Sequence, residues 1–251
     1  MNGADSHCRD LVRAEDKDRF LATLFAPEAA QPHLFALYAF NLEVARIRNL
    51  VSEPHIGLIR QQWWRDTLDG IFSGSVVNHP AAAALALAIE AGRLPKEPLH
   101  NLITAREFDL YADPMPDVVA LEAYLGETSS ALIQMAAMIL DPVEARQAAE
   151  AAGLAGVAHG LALLLGDPVH RTPFLPPGMD IRAAVSHARK RLAESRALRP
   201  KLGSSVLPAF LPVSLTELYL DRLARAPDRP LSVTQFRRQI TLWYHARLNS
   251  F

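Results

Sequence analysis

The chain has 251 residues, 50% hydrophobic and 21% charged, with a formal net charge of −1. This is enough chain for a full core within one domain, and the near-neutral balance supplies no whole-molecule field toward nucleic acid. The single cysteine, Cys8, excludes an intrachain disulfide framework and a cysteine-based zinc site.

The opening MNGADSHCRDLVRAEDKDRF is rich in acids and has no apolar core, unlike a signal or transit peptide. No window approaches the ~18 apolar residues of a membrane span. The expectation is a cytoplasmic protein, soluble or peripheral at the inner membrane, with residues 1–10 a flexible tail on a single domain covering 1–251.

Strand signals are nearly absent: no β-branched run alternates with period two, and no Asn-Gly or Asp-Gly hairpin joins such runs. Helical patterns follow one another instead. Residues 9–25 predict a first helix with Leu11, Phe20, Leu21 and Leu24 inside. A second runs from about Ala29 to Leu50, with Leu34, Leu37, Tyr38, Asn41, Leu42 and Ala45 on one face. Ser52 is the expected cap of a third helix, with Pro54 in its first turn and Ile56, Ile59, Trp63 and Phe72 toward the core.

His79-Pro80 opens a short alanine-rich helix to Ala91, and Leu94-Pro95 a fifth that carries Arg106 and Asp109. After the Asp113-Pro114-Met115-Pro116 turn, Asp117 caps a long helix to Leu140. Asp141-Pro142 starts another to Leu165, almost uncharged beyond Glu150 and hence central. A basic amphipathic helix follows over 180–199, then an apolar one over 204–225, and a last one over 232–248 with Phe236, Ile240, Trp243 and Tyr244. The helices of 180–199 and 204–225 suit either a membrane surface or the outer layer of a bundle. The fold class is therefore all-α, a single-domain helical bundle.

LFALYAFNLEVARI, followed by a helix that starts SEP and holds QWW, resembles the squalene/phytoene synthase family. Arg106-Glu107-Phe108-Asp109-Leu110, the helix headed by Tyr124, and the stretch from Gly156 to Phe174-Leu175-Pro176 resemble later family segments in the same order, so the likeness covers residues 15–180. The resemblance implies an α-helical bundle with a central cavity. In its enzymes, two prenyl diphosphates are condensed head to head. Two facing aspartate clusters hold magnesium on the diphosphates there, because a hard dication bridges phosphate and carboxylate oxygens.

This chain departs from that pattern. Where the resemblance implies the first cluster stand Ala45, Arg46, Ile47, Arg48 and Asn49, and the nearest acid, Glu43, lies on another helix face. The second cluster would fall near Gly166 and His170, where Asp167 is alone. Ser129, Ser130 and Ile133 also replace smaller residues of the family pattern. These departures, with SEPHIGLIRQQWW and His79-Pro80-Ala81, resemble the branch of non-catalytic complex I assembly factors of mitochondria and bacteria.

The reading is a non-catalytic binding or assembly protein, its partners complex I subunits or assembly intermediates. The alternatives are a prenyltransferase with an atypical site, which alone would call for magnesium, and a carrier of a prenyl lipid in the cavity. No catalytic or metal residue is assigned, and no nucleic acid is expected. The ligand-binding candidates are the cavity or motif positions Tyr38, Asn41, Ala45, Arg46, Asn49, Trp63, Asp109, Tyr124, His159 and His170. Several also have an ordinary structural reading: Trp63 as a core or interface aromatic, Arg46 on a solvated face, Asp109 in an ion pair with Arg106.

Overall fold

The computed structural model describes residues 3–75, 78–111 and 113–251. Local capping sets where its helices begin. Asp16, Asp117, Asp141 and Asp180 each accept hydrogen bonds from backbone N–H groups two or three residues on. A cap of this kind contributes ~1 kcal/mol by satisfying an orphan donor of the first turn.

The elements are α1 (Gly3–Glu15), α2 (Lys17–Thr23), α3 (Gln31–Ala45), α4 (Ile47–Leu50), α5 (Pro54–Phe72), α6 (Pro80–Gly92) and α7 (Lys96–Ala105). After a 3₁₀ turn at Phe108–Leu110 come α8 (Val118–Leu125), a π-helical turn at Gly126–Ser130, α9 (Ala131–Leu140), α10 (Pro142–Gln147) and α11 (Ala149–Leu165). The chain ends with α12 (Ile181–Ala197), α13 (Leu207–Phe210), α14 (Thr216–Arg225) and α15 (Gln235–Arg247). Among the described residues there is no strand, as the all-α expectation requires.

Helices α3 and α11 form the centre and are buried on nearly every side. Fully buried Leu37, Phe40, Leu68, Leu85 and Leu121 belong to the continuous core around them. Each such side chain contributes ~1.5–3 kcal/mol relative to exposure. Helix α11 approaches the π-helical turn closely enough that only glycine fits. A Cβ on Gly156 would run into the Ser130 backbone, and one on Gly160 into the Ser129 side chain. Ser130 fills the remaining gap and donates from Oγ to the Gly153 carbonyl at 2.7 Å. The serines that departed from the family pattern are thus matched by glycines on the facing helix.

Several expectations are corrected. Residues 3–10 of the expected tail form most of α1, with Cys8 buried against the core; residues 1 and 2 lie outside the described set. The first predicted helix is two, because Asp16 ends one segment and caps the next. The second breaks at Arg46, and the helices of 117–140, 141–165 and 204–225 are likewise divided. The residue before α5 is Glu53 rather than Ser52, and its side chain makes no capping bond.

The rotation of α5 is also corrected. Ile56, Ile59, Trp63 and Phe72 face outward, while Gly57, Gln61, Trp64 and Leu68 are buried. Two tertiary contacts set this rotation. Leu110 sits directly over Gly57, where a Cβ would clash, and Trp64 packs edge-on against Phe40 with ring centroids 5.3 Å apart. Periodicity marks an apolar stripe but cannot weigh it against a close-packed neighbour from a distant segment.

Candidate functional site

Between α3, α4, α8 and α11 lies a cavity of about 290 Å³. Helix α3 contributes Asn41, Leu42 and Ala45, and the following turn and α4 contribute Arg46, Arg48 and Asn49. Arg106, Tyr124, Thr128 and Ser129 form the opposite wall, with Gly160, Leu163 and Leu164 from α11. Arg19 and Glu15 close one end and Asp167 another. The lining thus carries four arginines against two carboxylates.

The arginines are held in place by pairs. Arg19 meets Asp16 at 2.6 Å and lies over the Tyr38 ring, 5.6 Å from its centroid. Arg46 meets Glu43 at 2.6 Å, and Arg48 reaches Asp167 at 3.3 Å. Arg106 donates to Asp109 at 3.1 Å and to the Tyr124 hydroxyl at 2.9 Å, while that hydroxyl donates to the other Asp109 oxygen at 2.7 Å. Burial would push the Arg106 pKa down, but the Tyr124 oxygen and the Asp109 charge outweigh it and hold the guanidinium charged. Burial raises the Tyr124 pKa despite Arg106, so its hydroxyl stays protonated and can act as donor.

On the other side of Tyr124 lies a second, more apolar and open groove of about 510 Å³, lined by Ala105, Phe108, Met115, Pro116, Ala120 and Ala123, with Asn101, Thr104 and Glu127. Tyr124 borders both spaces and packs against Phe108 and Phe174. The arrangement offers a cationic, hydrogen-bonding space on one side of a tyrosine and an apolar space on the other.

A family model for squalene/phytoene synthase matches residues 12–169. The chain belongs to the squalene/phytoene synthase family. Among its relatives is a Bos taurus protein named NADH dehydrogenase (ubiquinone) complex I, assembly factor 6, 30% identical over 96% of this chain and 80% of its own length. The Homo sapiens protein of the same name is 28% identical over 89% of this chain and 74% of its own. Two solved structures share the fold. Squalene synthase HpnC from Alicyclobacillus acidocaldarius has a TM-score of 0.75 at 20% identity, covering 91% of this chain and 95% of that one. A dehydrosqualene synthase in complex with ligand has a TM-score of 0.80 at 16% identity, covering 99% and 97%.

Magnesium, which the resemblance implies for the family's enzymes, does not suit this cavity's donor set. Magnesium needs several oxygen ligands in near-octahedral array. Among the described residues Glu15 and Asp167 are the carboxylates that line it, and Asp167 is engaged by Arg48 and by His170 at 2.8 Å. Among the described residues no three His, Cys, Asp or Glu side chains gather to hold a metal. Glu43, the acid nearest the first-cluster positions, faces a separate surface pocket with Arg46, Arg60, Trp63, Trp64 and His79.

Of the positions singled out in this squalene/phytoene synthase relative, Asn41, Ala45, Arg46, Asn49 and Tyr124 converge on the cavity. Tyr38, Asp109 and His159 stand behind its wall: Tyr38 under Arg19, Asp109 holding Arg106 and Tyr124, and His159 bonded to Thr216 at 3.1 Å. Trp63 lies outside, 44% exposed in the Glu43 pocket, and His170 lies on the surface beside Asp167. Arg19, Glu15, Thr128 and Asp167 were not among the candidates, though they line the cavity. The Asp16-x-x-Arg19 spacing was a usable signal for Arg19, since a cap at that distance fixes the arginine's helix face.

Proposed function

We propose that the protein is a non-catalytic binding or assembly protein for respiratory complex I. The observation that carries this reading is the cavity wall at Ala45, Arg46, Arg48 and Asn49, which puts two arginines where the resemblance implies metal-binding carboxylates. Ionisation of a prenyl diphosphate needs its developing charge neutralised by metal or by well-aimed donors. Guanidinium groups already engaged by Asp16, Glu43, Asp109 and Asp167 are poorly placed to supply that. Relatives named for complex I assembly, similar over most of the chain, support the choice of partner.

Deletion of the gene, with complex I followed on native gels and isoprenoids by mass spectrometry, tests this reading. Loss of complex I with unchanged isoprenoids is the expected result. Turnover of farnesyl diphosphate by the purified protein with magnesium would overturn it.

A second reading, a carrier of an isoprenoid lipid, draws support from the open apolar groove beside Tyr124. A co-purifying prenyl lipid in native mass spectrometry, displaced by filling that groove through Ala120→Phe, would favour it.

A further inference from the structure

The sequence left the helices of 180–199 and 204–225 open to either a membrane surface or the outer layer of a bundle, and the fold engages part of each. On α12, Arg189 is bound by Glu217 and Asp221, and Arg191 by Glu122 and Glu194. On α14, Tyr219, Leu220 and Leu223 are buried in the core. Among the described helices of the C-terminal part, α15 keeps an uncovered apolar face.

Helix α15 is anchored from one side. Leu242 is buried, Ala246 packs on the core, and Arg238 turns inward to Asp18 at 2.6 Å. Phe236, Ile240, Trp243 and Tyr244 are 71%, 50%, 58% and 54% exposed. At 3.6 residues per turn these four share one face, and Arg237 and Arg247 flank them on it. Leu248 extends the apolar face just beyond the helix end.

The charge along this helix has one sign. The sequence QFRRQITLWYHAR of α15 contains no acid. From Arg222 to the last residue the only acid is Asp228, and Arg171 already holds it at 3.0 Å. Among the described residues neither Arg237 nor Arg247 has a carboxylate partner. Exposed aromatic and aliphatic side chains beside unpaired arginines, with the opposite helix face bolted to a folded domain, form the pattern of a helix that lies in a lipid interface.

We propose that α15 docks this protein on an anionic bilayer, with Phe236, Ile240, Trp243 and Tyr244 entering the headgroup boundary and Arg237 and Arg247 meeting lipid phosphates. The face is complementary to such a surface in both respects. Arginines near an anionic leaflet contribute ~1 kcal/mol each, and aromatic rings with polar edges settle at the headgroup level. No helix of the described chain is long and apolar enough to cross the membrane, so the contact is a peripheral one. The inference does not depend on the complex I reading.

Flotation of the purified full chain with vesicles tests it. One set is phosphatidylcholine alone, and the other contains 30% phosphatidylglycerol, at low and at ~0.5 M salt, where screening shortens to a few ångströms. The wild type is expected to float with the anionic vesicles, at least tenfold more than with the neutral ones, and less at high salt. The triple variant Phe236→Ser, Ile240→Ser, Trp243→Ser should lose at least tenfold of that binding with an unchanged thermal midpoint. Arg237→Glu with Arg247→Glu should abolish the preference for anionic lipid. Should the triple variant fold poorly, Trp243 emission, taken as the difference between wild type and Trp243→Phe, must shift to the blue on anionic vesicles. Absence of wild-type flotation overturns the proposal. So do equal binding by the triple variant, and a dimer in light scattering that the triple variant converts to monomer, since a second copy would then cover the face.

Discussion

Arg48 and Asp167, 119 residues apart in sequence, meet at 3.3 Å across the central cavity. They stand where the resemblance would set two metal-binding clusters opposite each other. A direct cation–carboxylate contact now joins α4 to the loop after α11, and no ion is needed to relieve repulsion between facing acids.

The pair is partly exposed on both sides, so its energetic contribution is small. A double-mutant cycle with Arg48→Ala and Asp167→Ala should give a coupling of ~0.2–1 kcal/mol in urea unfolding. Burial alone would raise the Asp167 pKa, but the His170 side chain and the N–H groups of His170 and Val169 outweigh it and lower the value. The sign follows: this carboxylate stabilises the fold above the unfolded value near 4 and loses that contribution as the pH falls through its lower folded value. Asp167→Asn should therefore reduce stability at pH 7 and leave it little changed near pH 2.

The Arg106–Asp109–Tyr124 group is the tighter element. The Asp109 side chain is 2% exposed, so removing it leaves a guanidinium without its counter-charge in the cavity wall. Asp109→Ala should cost ~3–5 kcal/mol. Tyr124→Phe removes one hydroxyl and leaves the Arg106–Asp109 contact, and should cost ~1–2 kcal/mol. Guanidinium unfolding of both variants checks the ordering.

His159 offers a pH test. Burial first, and the Arg19 charge second, push its pKa down to about 3. Above the unfolded value near 6.5 both states are neutral; below it only the unfolded chain takes up the proton. Stability should therefore fall by ~1.4 kcal/mol per pH unit from this group between pH 6.5 and the folded value. His159→Gln should flatten that slope by one proton, read from urea midpoints between pH 7 and 4.

Gly156 tests the approach of α11 to the π-helical turn. A methyl group there meets backbone atoms of Ser130, which have less freedom to move than a side-chain tip. Gly156→Ala should destabilise by ~1–3 kcal/mol despite alanine's better helix propensity, whereas Gly153→Ala, with open space around its Cβ, should be neutral or stabilising. Thermal melts of the two variants separate the effects.

Much of the architecture was settled locally. Helical class, the caps at Asp117, Asp141 and Asp180, and the proline-marked starts at Pro54 and Pro80 depend on residues within one turn of each other. The convergence of Asn41, Ala45, Arg46 and Asn49 could also be read, since one stretch of helix and turn presents them together. Tertiary structure alone decided which face of α5 turns inward, because Leu110 and Phe40 select Gly57 and Trp64 over the larger stripe of Ile56, Ile59 and Trp63. It also decided that Arg48 would find Asp167, and that α15 would keep its aromatic face in the open while α14 buried Tyr219, Leu220 and Leu223. Hydrophobic periodicity records that a helix has an apolar face. Whether protein, lipid or water meets that face depends on which distant segments arrive beside it.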